Sequence, residues 1–600
     1  MSRRRRLSVM DASYLAADVP YLTVGWFRFG PRPDGSVPDA EEIIGHARGM
    51  LESPDAPEAV RTCCRRFRRV PGGLGLPYRE DDPDFDLRNH FSVHPAAPPV
   101  PLREVGQLIV DALARPLDPD RPLWRIEIVE SLDDGSFGLL ATYDHAMADG
   151  FSGLMAFALM SLGFTPEVVH PTPVTDIWRP ARPASSLRAV GEALADRAAS
   201  AADAARRGAR VASKGGMRHY VRAASGHVAA LAAYLHAEPS PPSAPRGRED
   251  TLASRRACRV HGHRYSLVDL RLASRALGAT INELFLAAAA GAWPAVEPDT
   301  GGVWVCVPVR LREAGDTELT NAIGYVVVQV PPGADLLATL RSAQAESARV
   351  KRQRQQRALA DVVRIRSWLP ASRQHTHLGR YDDPDIVLSN LPAVPFQLYC
   401  RGGMLQQAML TSPLGYGWGK MTFCTIADSV YGALIEDSGE GGPGSSFDQA
   451  FRSGLEELCR LGEARSLIAR QRQFLALGLA DLDELTRSAT TAKYGEGEVV
   501  VSEGDRADAL YVVSSGSVRA EASGAAPVSY RTGESFGEVG VFAGGVRKAT
   551  VTAEQPTELL RIDAGVLQSV FAKDPLNAAP VEAVIEEYAH YEDDDVVGAP

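Results

Sequence analysis

The chain is short of several things, and each shortage excludes something. No stretch approaches the roughly 18 consecutive apolar residues of a membrane-crossing helix, so any membrane contact is expected to be peripheral. Cysteines number seven in 600 residues, an odd count with no CxxC pair. That argues against a disulfide framework or a zinc knuckle and fits a reducing cytoplasm. Basic residues are outnumbered, 64 Lys and Arg against 75 Asp and Glu, for a formal net charge of -11. A nucleic-acid partner needs a basic surplus to neutralise phosphates, so none is expected. No internal repeat, P-loop or dinucleotide fingerprint is present, and neither is a metal-ligand cluster, since His261 and His263 in "VHGHRY" stand without further ligands. The arginines of "MSRRRRLSVMDASYLAADVP" could begin a signal peptide, but Asp11 and Asp18 interrupt its apolar segment, so export is not expected.

What is there is ordinary globular material, 45% hydrophobic and 23% charged, in a chain too long for one core. Residues 1–165 alternate strand-like runs ("LTVGWFRF", "LWRIEIVES", "FGLLATYDH") with a helical one ("VGQLIVDALA"), the texture of an α/β layer structure. Residues 166–250 form an Ala/Arg/Pro-rich connector with probable-helix composition only in its middle, read as a solvated crossover or, alternatively, as a basic helix resting on an anionic membrane. A second α/β unit spans residues 251–470, with "GATINELFLAAAAGAW" as a buried helix and "GGVWVCVPV" and "YVVVQVP" as strands. From residues 471–590 the texture becomes short β runs punctuated by glycine, as in a small jelly roll. Residues 591–600 read as an acidic tail.

The chemistry concentrates in "ATYDHAMADG", residues 141–150. "FGLLATYD" reads as a strand and "GFSGLMAFALMSLG" as a helix, which places His145 at a strand end beside a helix N-terminus, where α/β proteins keep their active sites. Successive side chains of a strand point to opposite faces, so Asp144 and His145 are not expected in one cleft. Asp149, just before Gly150 and an apolar run, also reads as a plain N-cap. An isolated histidine is more often structural than catalytic, so the residues alone leave both readings of His145 open.

"DHAMADG" resembles the HHxxxDG motif of the bacterial wax ester synthase/diacylglycerol acyltransferase family, relatives of condensation domains. The agreement continues in order through "LSVMDASYLA", "FDLRNHF", "RPLDPDRPLWRIEIVE", "ALGATINELFLAAAAGA", "VPVRLREAGDTELTNAIG", "VLSNLPAVP" and "SPLGYGWGKMTFCTIADSVYGALIED". The resemblance implies two chloramphenicol acetyltransferase-like subdomains with an interfacial tunnel where acyl-CoA, as co-substrate, meets a lipid alcohol. No cofactor would be needed for catalysis. His145 corresponds to the second motif histidine and would be the general base, while Asp149 would orient the loop, with an arginine such as Arg312 as its suggested partner. Gly150, Trp124 of the Pro122-Leu123-Trp124 element, Asn282, Ser389 and Asn390 fall on substrate-binding positions, although tryptophan there has more area to bury than chemistry to do. The chain departs from the pattern in three places. Asp144 replaces the first histidine, Glu283 replaces an aspartate, and "SNLPAVP" lacks a glycine. Were Asp144 to reach the imidazole, it would favour the protonated, non-basic form.

Near the C-terminal end, "ESFGEVGVFAGGVRKATV" combines glycine-flanked amides, a glutamate and an arginine, the groups that a cyclic phosphate and a ribose hydroxyl require. An internal Arg–Glu pair that binds nothing is the plain alternative. The segment resembles a cyclic nucleotide-binding domain. By that resemblance Arg547 would hold the phosphate and Glu538 the ribose, with Gly537, Val539 and Gly540 shaping the cradle and Lys548 and Ala549 flanking the arginine. Lys548 stands where guanine-selective members carry threonine, which favours cAMP. One reading of "PVEAVIEEYAHYE" is a closing helix in which Tyr588 or Tyr591 caps the base; a plain amphipathic helix is the safer expectation.

The fold class expected is α/β: two chloramphenicol acetyltransferase-like subdomains plus a C-terminal all-β jelly roll with flanking helices. The function expected is transfer of a long acyl group from acyl-CoA to diacylglycerol or a fatty alcohol, regulated by cAMP, in the cytoplasm or at the inner membrane face or a lipid-droplet surface. Two alternatives stay open: a catalytically inactive, cAMP-responsive lipid-binding scaffold, and a carrier-protein-dependent acyltransferase.

Overall fold

The computed structural model describes residues 5–15, 19–53, 56–71, 76–94, 98–148, 153, 191, 195, 255, 257–298, 301–310, 321, 323–353, 384–414, 417–437 and 444–573. The chain divides into two compact units. The first joins Met1–Leu267 to Leu286–Arg452, and the second joins Val268–Phe285 to Ser453–Pro600.

Among the described residues a small three-stranded sheet, ordered Arg5–Arg6, Tyr78–Asp81, Arg65–Arg68, and two six-stranded ones build the first unit. One runs in the order Tyr399–Cys400, Gly403–Thr411, Leu22–Phe29, Phe137–Asp144, Trp124–Val129, Phe91–His94. The other runs Ile323–Val330, Val303–Arg310, Ile386–Val394, Gly419–Ile426, Ser429–Asp437, Cys258–Ser266. The runs "LTVGWFRF" and "FGLLATYD" form neighbouring antiparallel strands, in register from Leu22 opposite Asp144 to Phe29 opposite Phe137. They are apolar nearly throughout because both faces of the sheet are covered. Phe27, Phe29, Leu139 and Ala141 pack with Ile43, Ala47 and Leu51 of the helix Ala40–Glu52. Leu22, Val24, Trp26 and Leu140 pack with Val105, Ile109 and Leu113 of the helix Val105–Leu113. Gly138 is required for this packing, since a Cβ there would sit 2.0 Å from the Trp26 ring.

One strand goes where chain order does not send it. Gly403–Thr411, with the short Tyr399–Cys400 beside it, pairs antiparallel with Leu22–Phe29, although the longer strands on either side in sequence, Ile386–Val394 and Gly419–Ile426, pair parallel with each other in the second sheet. A segment from late in the chain is thereby stitched into the sheet that carries His145.

In the second unit, two four-stranded antiparallel sheets form a jelly roll. One is ordered Thr490–Tyr494, Thr557–Asp563, Ala509–Ser515, Ser535–Phe536; the other is ordered Val499–Val501, Thr550–Ala553, Ser517–Glu521, Val528–Arg531. Tyr511, Val513, Val518, Phe536, Val551 and Leu559 fill the space between them. Among the described residues no single helix is long and apolar enough to cross a membrane. The helical stretch read in residues 166–250 lies outside the described residues apart from isolated positions.

Candidate functional site

The strand Phe137–Asp144 ends one residue before His145. The ladder extends one step further, because the His145 N–H donates to the Tyr21 carbonyl at 2.9 Å. The imidazole is half-buried and packs in a three-ring cluster with two phenols that also meet each other, at 5.4 Å between centroids. Tyr14 is tilted over it at 4.5 Å between centroids, and Tyr21 meets it edge-on at 5.5 Å. The Tyr14 hydroxyl is 3.1 Å from that of Tyr325, and burial pushes the Tyr14 phenol well above its ordinary range. On the far side of Tyr21, the buried Lys420 ammonium donates to the Tyr21 hydroxyl at 3.2 Å and to Ser412 Oγ.

Side chains hold the turn after the strand. Asp144 Oδ1 accepts the Ala146 N–H at 2.8 Å, so the acid beside the histidine is engaged with the main chain two residues on. Burial pushes this carboxyl up to about 6, against the pull of the Ala146 N–H and the Arg255 guanidinium. Buried Arg79 donates to the carbonyls of Ala146 at 3.1 Å and Met147 at 2.7 Å. Asn321 Nδ2 donates to the His145 carbonyl at 2.6 Å. Neither Arg79 nor Asn321 stood out in the sequence.

The other positions read from sequence are placed as follows. Trp124 is core: it is 5% exposed, stacks on His90 at 4.4 Å and donates from Nε1 to the Cys63 carbonyl at 2.7 Å. Ser389 and Asn390 are half-buried on the second sheet, opposite Thr422 and Phe423. Asn282 belongs to the second unit, in the first turn of the helix Ile281–Ala292. The Glu283 departure there has a local account. Its carboxylate accepts the Thr280 N–H at 2.8 Å while Thr280 Oγ1 accepts the Glu283 N–H at 3.3 Å, a capping box. His261 Nε2 lies 3.0 Å from Glu436 Oε1, and His263 Nε2 lies 2.5 Å from Asp448 Oδ1. Asp149, Gly150, Arg312, Tyr588 and Tyr591 lie outside the described residues.

In the jelly roll, Gly537 turns the chain at φ +90° and Glu538 and Val539 begin a short helical segment that continues through Gly540–Gly544. Glu538 and Arg547 are both buried, at 5% and 3% exposure, whereas Lys548 is exposed. The Arg547 guanidinium donates to the Ala509 carbonyl at 2.8 Å and pairs with Asp508 at 3.0 Å. It also lies over the Tyr511 ring at 5.4 Å. Its Nε is buried and has no hydrogen-bond partner among the described residues. The missing side chain of Gly537 makes room for it, since a Cβ there would stand 2.5 Å from Nη1.

Two family models match the chain. Residues 37–285 match the model of the wax ester synthase/diacylglycerol acyltransferase catalytic domain, and residues 491–574 match that of the cyclic nucleotide-binding domain. A Mycobacterium tuberculosis protein named as a diacylglycerol O-acyltransferase is 28% identical over 351 residues, covering 56% of this chain and 68% of its own. A second so named from the same organism is 27% identical over 402 residues, covering 61% and 81%. The solved wax ester synthase/diacylglycerol acyltransferase from Marinobacter aquaeolei VT8 has the same fold, with a TM-score of 0.50 at 16% identity over 76% of this chain and 98% of that one.

Proposed function

This chain is an acyltransferase of the wax ester synthase/diacylglycerol acyltransferase type that also carries a cyclic nucleotide-binding domain, and from that premise we propose that it moves a long acyl group from acyl-CoA to the hydroxyl of diacylglycerol or a fatty alcohol, with His145 as general base. The neutral imidazole takes the hydroxyl proton as that oxygen attacks the thioester carbonyl. The C–S bond then breaks, and the departing thiolate takes up the proton that the imidazolium returns. No acyl-enzyme forms. Asp149 orients the loop, and Gly150, Ser389 and Asn390 contribute to the path of the substrates.

One observation carries this reading: His145 is partly buried, not sealed in the core, at its strand end, while the Asp144 carboxylate is engaged with the Ala146 N–H. An acid bonded to the imidazole would hold it protonated. The test is CoA release from acyl-CoA with and without a long-chain alcohol. Wild type should show alcohol-dependent release and His145→Ala should lose it; equal rates in the two proteins refute the base.

In the C-terminal domain the ligand is cAMP. Arg547 binds the cyclic phosphate and Glu538 the ribose 2′-hydroxyl, with the amides at Val539 and Gly540 completing the cradle. The buried guanidinium with an unused Nε supports this, because such a donor calls for an acceptor. Binding regulates transfer only if cAMP distinguishes two conformations, and such coupling is typically about 1–3 kcal/mol. Calorimetry should show cAMP binding to wild type and weaker binding to Arg547→Ala; undiminished binding removes Arg547 as the phosphate ligand.

A further inference from the structure

A general base works only where its ring is held against the reacting hydroxyl, and a displacement of about 1 Å can cost on the order of 100-fold in rate. His145 stands in a turn, past the end of the strand that carries it. Its carbonyl is gripped by a side chain 176 positions away, through Asn321 Nδ2 at 2.6 Å. That same Nδ2 donates to Asp11 Oδ1 at 2.7 Å, and the Asn321 main-chain N–H donates to the same oxygen at 2.9 Å.

Asp11 is completely buried. Its second oxygen accepts the Ser8 N–H at 3.3 Å while its own N–H donates to Ser8 Oγ at 3.0 Å, a capping box that starts the helix Val9–Leu15. Three residues along the same helix face, Tyr14 lies over the imidazole at 4.5 Å, and its hydroxyl meets that of Tyr325 at 3.1 Å. The helix Val9–Leu15 and the segment from Asn321 to Tyr325 are thus joined by two rungs, and each rung touches His145. One holds its main chain and the other packs against its ring.

The chemistry of the first rung is directional. Asp11 Oδ1 and the His145 carbonyl are both acceptors, so the amide of Asn321 must present its NH2 end to them. Its other end, Oδ1, is buried and accepts no hydrogen bond among the described residues. Leaving a buried acceptor dry is unfavourable, so a residue that served only to fill space there would more favourably be apolar.

We propose that Asp11 and Asn321 are positioning residues for the acyl transfer. The buried carboxylate orients the amide, the amide fixes the main chain of His145, and the Tyr14–Tyr325 rung restrains the ring. The proposal rests on His145 acting as the base. Steady-state CoA release by the full chain, with saturating acyl-CoA and alcohol, is compared for His145→Ala, Asn321→Ala, Asn321→Asp, Asp11→Asn, Asp11→Ala and the Asp11→Ala/Asn321→Ala double variant, each checked by circular dichroism and melting.

Asn321→Ala should lower kcat by about 10- to 100-fold while leaving both KM values within about 2-fold. Asn321→Asp should lose more, because a carboxylate cannot donate to the His145 carbonyl and faces Asp11. Asp11→Asn keeps an acceptor for the amide and should retain most of kcat. The double variant should be no worse than the poorer single one, since both act through one amide. Inactive His145→Ala with unchanged Asn321→Ala overturns the clamp alone, as does multiplication of the two losses or a loss confined to KM. Active His145→Ala overturns the base, and the clamp with it. Should Asp11→Ala fail to fold, Asp11→Asn and the two Asn321 variants decide the question.

Discussion

Replacing Asp144 with asparagine should stabilise the first unit, and more so in alkali than in acid. Asp144 is 4% exposed, and burial pushes its carboxyl from the usual 3.8 up to about 6. In the unfolded chain the group releases its proton near 3.8 and in the folded chain only near 6, so folding takes up a proton between those values. The associated stability is fully present below pH about 3.8 and is lost as pH rises through about 6. A difference of about two pH units corresponds to about 3 kcal/mol. About half of that is already lost at pH 5. Asparagine stays neutral, and its Oδ1 can accept the Ala146 N–H that Asp144 now accepts at 2.8 Å. The gap between variant and parent should therefore widen by about 1.5 kcal/mol from pH 5 to pH 8, or roughly 1.5–2 °C in Tm for a unit of about 430 residues. Paired thermal or urea unfolding at the two pH values, followed by tryptophan fluorescence, measures it. Alcohol-dependent CoA release should stay within about threefold of wild type, because the carboxylate is engaged with the main chain. Parallel curves, or a variant less stable than its parent at pH 8, would refute the reasoning.

Two further substitutions test placements with opposite consequences. Trp124→Phe removes the Nε1 donor to the Cys63 carbonyl and should destabilise by about 1–3 kcal/mol, read from denaturant midpoints, with the KM for acyl-CoA unchanged; a several-fold rise in KM would place Trp124 on the substrate path instead. Gly537→Ala forces a side chain into φ +90° and puts a Cβ 2.5 Å from Arg547 Nη1. Backbone strain of about 1–2 kcal/mol should lower stability, and the displaced guanidinium should weaken cAMP binding at least tenfold by calorimetry. Binding equal to that of the parent would show that the cassette does not depend on where Arg547 sits.

The strands were legible because burial leaves a periodic or continuous apolar trace. "LTVGWFRF" is the strand Leu22–Phe29, and "FGLLATYDH" ends as a strand one residue before its histidine. Pairing partners leave no such trace. Nothing in the alternation of Gly403–Thr411 tells it to join Leu22–Phe29 rather than Ile386–Val394 or Gly419–Ile426, since any strand of suitable length and pattern offers the same ladder of N–H and C=O groups. The fold class follows from composition and order along the chain, whereas the stitching of a late strand into the first sheet follows from packing over long sequence separations.

The site divides along the same line. His145 could be singled out because a histidine at a strand end beside carboxylates is locally unusual, and Glu538 and Arg547 because a glutamate and an arginine stand in one glycine-rich stretch. The residues that hold them could not. Asn321 reaches His145 across 176 positions and Arg79 reaches Met147 across 68, and a single asparagine or arginine in such a segment looks like any solvated polar residue. In the structure Ser8 and Asp11 form a capping box, which explains why a helix begins at Val9 but not why its aspartate is buried completely. Burial of that carboxylate makes sense only with its partner in view. A polar group removed from water needs hydrogen-bond partners, and the Ser8 and Asn321 groups that supply them tie the helix Val9–Leu15 to the main chain of the proposed base.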